Sequence, residues 1–143
     1  MEDILNFENR EQLYKTLVDK FGLIKVEEKY DPEAFGNFFI TLSAKEFLLR
    51  YVNDRSVLTI EISHLTEPLQ WYDLSFVRDF IYNPDNVTAD DSVLDNDYRI
   101  KELNNFIRKE FDLISDLFNE DNYQNTQQRL DELLKNKYYR DFK

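Results

Sequence analysis

The densest group of potentially reactive side chains is an acidic stretch over residues 85–97. Calcium prefers carboxylate oxygens, but a calcium loop also needs alternating ligand spacing and a central glycine. The stretch has neither. Two interpretations stay open: a solvated acidic linker, or an acidic patch that engages a basic partner. The stretch contains five aspartates and no basic residue: Asp85, Asp90, Asp91, Asp95 and Asp97.

Side chains for nucleophilic or acid–base catalysis are sparse. His64 is the only histidine, and there is no cysteine. Ser43 and Ser63 could be grouped with His64, but no nucleophile-elbow sequence supports such a triad. Gly22 and Gly36 are the only glycines, so a glycine-rich phosphate loop is excluded. A magnesium site of carboxylates alone stays formally open. We therefore expect no enzymatic activity, no cofactor and no structural metal.

The overall charge narrows the class of partner. The 143 residues include 29 acidic and 18 basic side chains, giving a formal net charge of −11. This charge repels phosphate backbones and anionic membranes, so we expect neither nucleic acid nor membrane as a partner. No apolar run approaches the roughly 20 residues of a membrane helix, and the acidic N-terminus does not resemble a signal peptide. One cytoplasmic domain over residues 1–143 is predicted.

The clearest structural pattern is a predicted three-stranded antiparallel meander over residues 35–62. Two-residue turns are predicted at Ser43-Ala44 and Asp54-Arg55, and each turn would fix the pairing of its strands. Because side chains alternate along a strand, both turns place one common set of residues on a single face. Every member of this set is apolar or aromatic: Phe38, Ile40, Leu42, Phe47, Leu49, Tyr51, Leu58, Ile60 and Ile62.

The opposite face of the meander is mixed in character. Apolar Phe39, Leu48 and Val52 alternate with charged residues there, including Arg50 and Glu61. This face is either a contact surface for a partner or is covered by a later helix. The predicted pairing sets two rows across the strands, one of Asn37, Arg50 and Thr59 and one of Phe39, Leu48 and Glu61. Phe35 and Val57 are also predicted to lie on this face.

Helical spacing of apolar residues flanks the meander. A helix is predicted over residues 8–21, with Gly22 as its C′ residue. A strand over residues 23–30 is predicted at the sheet edge, joined to the next strand through a longer loop or a bulge. Further helices are predicted over residues 71–82 and 98–118, and Trp71 is expected to plug the edge of the core.

The last helix is predicted to start at an Asn125 or Thr126 cap, and Asp95 or Asn96 is predicted to cap the helix before it. Together these elements predict an α+β fold. An N-terminal helix precedes a four-stranded antiparallel meander sheet, and three helices then pack on that sheet.

Four short segments in the middle of the chain share a pattern of strand ends and turns. They are Ala34-Phe35-Gly36-Asn37, residues 49–56, residues 58–62 and Trp71-Tyr72-Asp73-Leu74. This pattern resembles bacterial immunity proteins encoded beside polymorphic or contact-dependent growth-inhibition toxins. The resemblance implies a protein that binds its cognate toxin domain and blocks it. Such sequences often have glycine after Asp-Arg, where this chain has Ser56.

Three functional hypotheses follow. The first is a toxin-neutralising immunity protein, whose acidity suits a basic toxin domain such as a nuclease. The second is a non-enzymatic adaptor or homodimeric interaction module unrelated to toxins. The third is a metal-dependent hydrolase built from carboxylates. For the first two, the candidate partner-binding residues are the five aspartates together with Phe39, Leu48, Arg50 and Glu61.

Overall fold

Secondary structure covers most of the chain, and the computed structural model describes residues 6–83 and 95–141. A 3-10 helix, Phe7–Leu13, leads into α1, Lys15–Phe21. The strands are β1 Ile24–Asp31, β2 Asn37–Ser43, β3 Leu48–Asp54, β4 Val57–Ser63 and β5 Tyr72–Asp73. The remaining helices are α2 Leu74–Tyr82, α3 Asn96–Phe118 and α4 Tyr123–Asp141.

The strands form one antiparallel sheet in the order β1-β2-β3-β4-β5. The predicted α+β class is confirmed, with one strand more than predicted. This extra strand, β5, pairs Tyr72 with Ile62 and Asp73 with Glu61. Two residues are too few to show the alternation by which a strand is recognised in a sequence.

The helices pack on the face of the sheet that was predicted to be apolar. All nine residues predicted for that face are at most 3% exposed. The Tyr51 hydroxyl donates a hydrogen bond to Asn104 Oδ1 in α3, at 2.6 Å. Asn104 Nδ2 in turn donates to the Leu13 carbonyl, at 2.7 Å. This pair of bonds joins the sheet, α3 and the 3-10 helix inside the core.

The connection between β2 and β3 is longer than predicted, and the two-residue turn expected at residues 43–44 is wrong. Ser43 still belongs to β2, opposite Leu48, and residues 44–47 form the connection. Phe47 is the last residue of this connection, and its side chain is fully buried in the core.

The β3–β4 turn lies one residue later than predicted, at Arg55-Ser56, with Asp54 opposite Val57. Both turn residues have positive φ, 52° and 68°, which is the pattern of a type I′ hairpin. The Arg55 N–H donates to Asn37 Oδ1 at 2.8 Å, which ties this turn to β2. In both hairpins the pairing shifts by an even number of residues, so each side chain keeps its predicted face.

Strand β1 occupies the predicted edge position, and its predicted irregularity is a bulge between Lys25 and Glu27. The bulge places Glu28 opposite Ile40, on the helix side of the sheet. There Glu28 accepts hydrogen bonds from Arg10 and from Lys25 Nζ. Burial raises the pKa of the Glu28 carboxyl, but the bonds from Lys25 and Arg10 outweigh it and lower the pKa below its ordinary value.

The N-terminal helix is divided, although it was predicted as one element over residues 8–21. Tyr14 interrupts it with φ −130°, between the 3-10 helix and α1. Gly22 ends α1 in the left-handed conformation, with φ 68°, as predicted for a C′ glycine.

Helix α2 starts at Leu74, three residues after its predicted start at Trp71. The reason is that Tyr72 and Asp73 extend the sheet as β5. The Asp73 side chain then caps α2 by accepting from the Ser75 N–H at 2.8 Å.

Helix α3 has the predicted cap, since Asp95 Oδ1 accepts from the Tyr98 N–H at 2.7 Å. Helix α4 starts at Tyr123, ahead of the predicted cap at Asn125 or Thr126. Thr126 is buried inside α4 instead, where its hydroxyl donates to the Leu117 carbonyl of α3 at 2.6 Å.

The first turn of α3 docks on the part of β4 that β5 leaves uncovered. Asn96 Oδ1 accepts from the Leu58 N–H at 3.0 Å, and Asn96 Nδ2 donates to the Ser56 carbonyl at 2.9 Å. Arg99, only 5% exposed, donates to the Leu58 carbonyl at 2.9 Å. These bonds fix where α3 begins relative to the sheet.

Ser56→Gly tests the left-handed turn. A residue other than glycine costs roughly 1–2 kcal/mol of stability in this left-handed conformation. Replacing Ser56 with glycine removes that cost, but part of the gain in stability is offset by the greater freedom of glycine in the unfolded chain. We expect the free energy of unfolding in urea to rise by about 0.5–1 kcal/mol. Ser115→Gly, inside α3, is the control and should lower it. A destabilised Ser56→Gly protein would contradict the turn assignment.

Glu28→Gln tests the contact between β1 and the N-terminal helix. A carboxyl whose pKa is lowered in the folded state stabilises the fold above its unfolded pKa of about 4.3. This stabilisation is lost as pH falls through the lower folded pKa. We expect Glu28→Gln to be less stable than the wild type at neutral pH, and we expect this difference to shrink as pH falls below the unfolded pKa of the carboxyl. Urea unfolding across this pH range measures the difference. The control is Glu102→Gln, at an exposed position, which should change the free energy of unfolding little at any pH. A difference independent of pH would count against the ion pairs.

Candidate protein-interaction surface

The side of the sheet facing away from the helices, called the outer face, carries the predicted contact residues. Phe39, Leu48, Arg50 and Glu61 all lie on it by strand register. The two predicted rows across the strands are wrong, because both hairpins are shifted. Arg50 lies between Thr41 and Glu61. The sheet residues that pack against the helices in the hydrophobic core lie on the opposite face of the sheet.

Arg50 is the centre of an ordered cluster on the outer face. Its guanidinium makes two contacts of 2.9 Å with Glu61 Oε1, through Nε and a terminal nitrogen. The guanidinium carbon lies 4.0 Å from the Trp71 ring centroid and 5.5 Å from that of Phe39. The four residues Phe39, Arg50, Glu61 and Trp71 are called the Arg50 cluster.

Trp71 was predicted to plug the core edge, and this prediction is wrong. Its neighbour Tyr72 pairs with Ile62 and is buried in the core. Alternation along β5 therefore directs Trp71 to the outer face, where it is half-buried against Arg50. Recognising this position from sequence would have required knowing that β5 joins the sheet.

The Arg50 cluster has the composition of a protein-binding centre. Tryptophan and arginine dominate the residues whose truncation weakens protein complexes most. The guanidinium is held by Glu61 and by stacking on Trp71, so little rotamer freedom remains to be lost on binding. Outside the cluster, acidic side chains outnumber basic ones on the outer face: Glu27, Asp31, Asp54 and Asp73 against Lys29.

Phe35 lies in the β1–β2 loop, and its predicted position on a strand is wrong. Its side chain is 78% exposed, and its φ is 58°. Asp31 Oδ1 shapes this loop by accepting from the N–H groups of Glu33 and Ala34, both at 3.2 Å. An exposed phenylalanine in a left-handed conformation has a conformational cost with no compensating burial, which is common at binding sites.

Of the acidic stretch over residues 85–97, the structure describes only residues 95–97 at its end. Asp85, Asp90 and Asp91 lie outside the described residues. Asp95 caps α3, and Asp97 is exposed in the first turn of that helix. Because neighbouring Asn96 binds the Ser56 carbonyl, both aspartates lie close to the β3–β4 turn.

His64 has a structural environment. It is 3% exposed, with Nε2 3.2 Å from the Pro68 carbonyl oxygen and Nδ1 2.6 Å from Gln127 Nε2. Its ring stacks on Tyr123, with centroids 4.3 Å apart. His64 thus links the end of β4 to α4.

The largest pKa shifts belong to buried tyrosines. Burial raises the pKa of Tyr51, and burial together with the bond to Asp131 raises that of Tyr72. Both hydroxyls therefore remain protonated. Within residues 6–83 and 95–141, no group of three histidine, aspartate or glutamate side chains is placed to hold a metal ion.

No protein-family model, curated protein or solved structure matches this chain. In the part of the chain that the structure describes, no helix has both the length and the apolar character needed to cross a bilayer.

Phe35→Asn tests the strain in the β1–β2 loop. Asparagine tolerates the left-handed conformation better than phenylalanine, and the exposed ring contributes little burial. The free energy of unfolding should rise by about 0.5–1 kcal/mol. Leu65→Asn is the control, because Leu65 is also exposed but has no positive φ. If both variants change stability equally, the left-handed conformation of Phe35 is not the cause.

Proposed function

We propose that this protein is a toxin-neutralising immunity protein. It binds a basic toxin domain, such as a nuclease, through the outer face of the sheet and blocks it in the cytoplasm. The observation that carries the proposal is the Arg50 cluster, an ordered and partly exposed aromatic and arginine centre on a sheet face where acidic side chains outnumber basic ones. Leu48, on the same face, is buried and is not available to a partner. The resemblance of residues 34–37, 49–56, 58–62 and 71–74 to immunity proteins supplies the partner class.

The charge distribution supports a basic partner. A formal net charge of −11 attracts a basic domain over distances beyond direct contact. The acidic residues on the outer face direct this attraction toward the Arg50 cluster. Opposite charges accelerate encounter and disfavour acidic competitors, while aromatic contacts supply most of the affinity.

A binding role requires no reactive group of the protein's own. Occupying the active site of a toxin, or the surface on which its substrate lies, needs only complementary shape and charge. Arg50 and Trp71, which are held against each other on the outer face, suit this task. Both present flat, rigid surfaces that can pack against a partner.

The experiment begins with the gene beside the one for this protein, which we expect to encode a basic toxin. Calorimetry with the purified toxin domain measures affinity, and stopped-flow at several salt concentrations measures association. Arg50→Met and Trp71→Ala should each weaken binding by at least about 2 kcal/mol, roughly thirtyfold. The association rate should fall as salt rises.

Arg108→Met, at an exposed position on α3, is the matched control and should bind as the wild type does. Growth of cells that produce the toxin gives a second readout, since the Arg50 variant should protect less. If Arg50→Met binds normally, the outer face is not the interface. If the adjacent gene encodes no toxin and no basic domain binds, the adaptor alternative replaces the immunity role.

A further inference from the structure

A cleft of about 290 Å³ opens on the outer face, at the end of the sheet where the β1–β2 loop and the β3–β4 turn meet. Phe39 and Val52, which lie opposite each other in β2 and β3, line its floor. Ala34 of the β1–β2 loop lines one side. This space, called the tip cleft, therefore has an apolar base inside an otherwise polar end of the sheet.

Carboxylates lie on two sides of the tip cleft. Asp31 in β1 and Asp54 in β3 both line it. Asn37 lies between them, because β2 lies between β1 and β3 in the sheet. Asp31 uses Oδ1 to hold the β1–β2 loop. The Asp54 side chain is 71% exposed, and its ion pair with Arg55 has a separation of 4.0 Å. The Asp54 carboxylate can therefore accept a cation at a shorter distance than its 4.0 Å separation from Arg55.

One basic side chain also lines the tip cleft. Lys29 lies opposite Phe39 in the β1–β2 pairing. Lys29 and Arg55, whose guanidinium lies 4.0 Å from the Asp54 carboxylate, offset the charge of Asp31 and Asp54. The cleft therefore attracts a cation through the two carboxylates that flank it, not through a net local charge.

We propose that the tip cleft receives one lysine or arginine side chain of the partner protein. The aliphatic part of that side chain packs on Phe39 and Val52, and its cationic end lies between Asp31 and Asp54. Lysine and arginine combine these two features, an apolar stem and a charged head. The inference rests on the proposed function for the identity of the partner, but not for the chemistry of the cleft.

The position of the cleft strengthens the inference. Phe39 lines the cleft, and its ring centroid lies 5.5 Å from the guanidinium carbon of Arg50. The tip cleft and the Arg50 cluster therefore form one continuous surface. A basic partner that packs on Trp71 and Arg50 would extend toward the cleft along β2 and β3.

The test uses the full protein and two small probes, Nα-acetyl-lysine methylamide and Nα-acetyl-arginine methylamide. Amide NMR spectra should show saturable shifts at Ala34, Asn37 and Val52, with an affinity of about millimolar. The norleucine derivative, which has a similar stem and no charge, should bind at least about tenfold more weakly. Equal binding of all three probes would overturn the proposal.

Variants then locate the charge. Asp31→Asn with Asp54→Asn keeps the oxygen that shapes the loop and should weaken probe binding at least about tenfold. The matched pair Asp112→Asn and Asp121→Asn makes the same charge change away from the sheet and should not alter it. Unchanged binding in the cleft variant, or an equal loss in both variants, would overturn the proposal.

Lys29→Gln should strengthen binding, because it removes the like charge. Unchanged or weaker binding would count against a cation site. These probes need no toxin, so failure of the probes to bind the tip cleft refutes only the proposal that the cleft receives a lysine or arginine side chain. Loss of the immunity proposal would instead appear in the toxin-binding experiment.

Discussion

The docking of α3 on β4 is the contact on which the remaining architecture depends. Arg99 is buried with its guanidinium bound to the Leu58 carbonyl, and Asn96 binds the Leu58 N–H and the Ser56 carbonyl. A buried arginine is costly unless its hydrogen bonds are made, so this geometry has few alternatives. With α3 fixed there, Asn104 meets the Tyr51 hydroxyl and the other helices pack on the same side. The helices and the side chains of the core thus lie on one side of the sheet, opposite the outer face.

Much of the fold could be predicted from sequence, because the alternation of side chains along a strand gives the correct face even when the strand pairing is wrong by an even number of residues. Both hairpin turns were misplaced, yet Phe47 and Leu58 are buried on the same face, since each pairing slipped by an even number. An odd slip would have reversed the faces. Other features depend on contacts between distant segments. Strand β5 is visible only through its pairing with β4, and the break at Tyr14 has no strong local signal.

The candidate site was predictable in part for the same reason. Alternation placed Phe39, Arg50 and Glu61 on one face, and the structure puts Arg50 directly opposite Glu61. It could not show that Trp71 stacks on Arg50, because that contact requires β5 to join the sheet. Nor could it show the left-handed Phe35, whose conformation arises from a loop shaped by Asp31.

The bulge in β1 and the blocked end of β4 have a shared consequence for how this protein meets other chains. An exposed, regular strand invites a neighbouring chain to continue the sheet, which leads to swapped dimers or fibrils. Here one border is bent between Lys25 and Glu27, and the other is occupied by β5 and by side chains of α3. Backbone-to-backbone zippering is therefore disfavoured at both borders. Any contact with another chain is then made by side chains rather than by main-chain pairing, and a side chain can be substituted singly without altering the sheet.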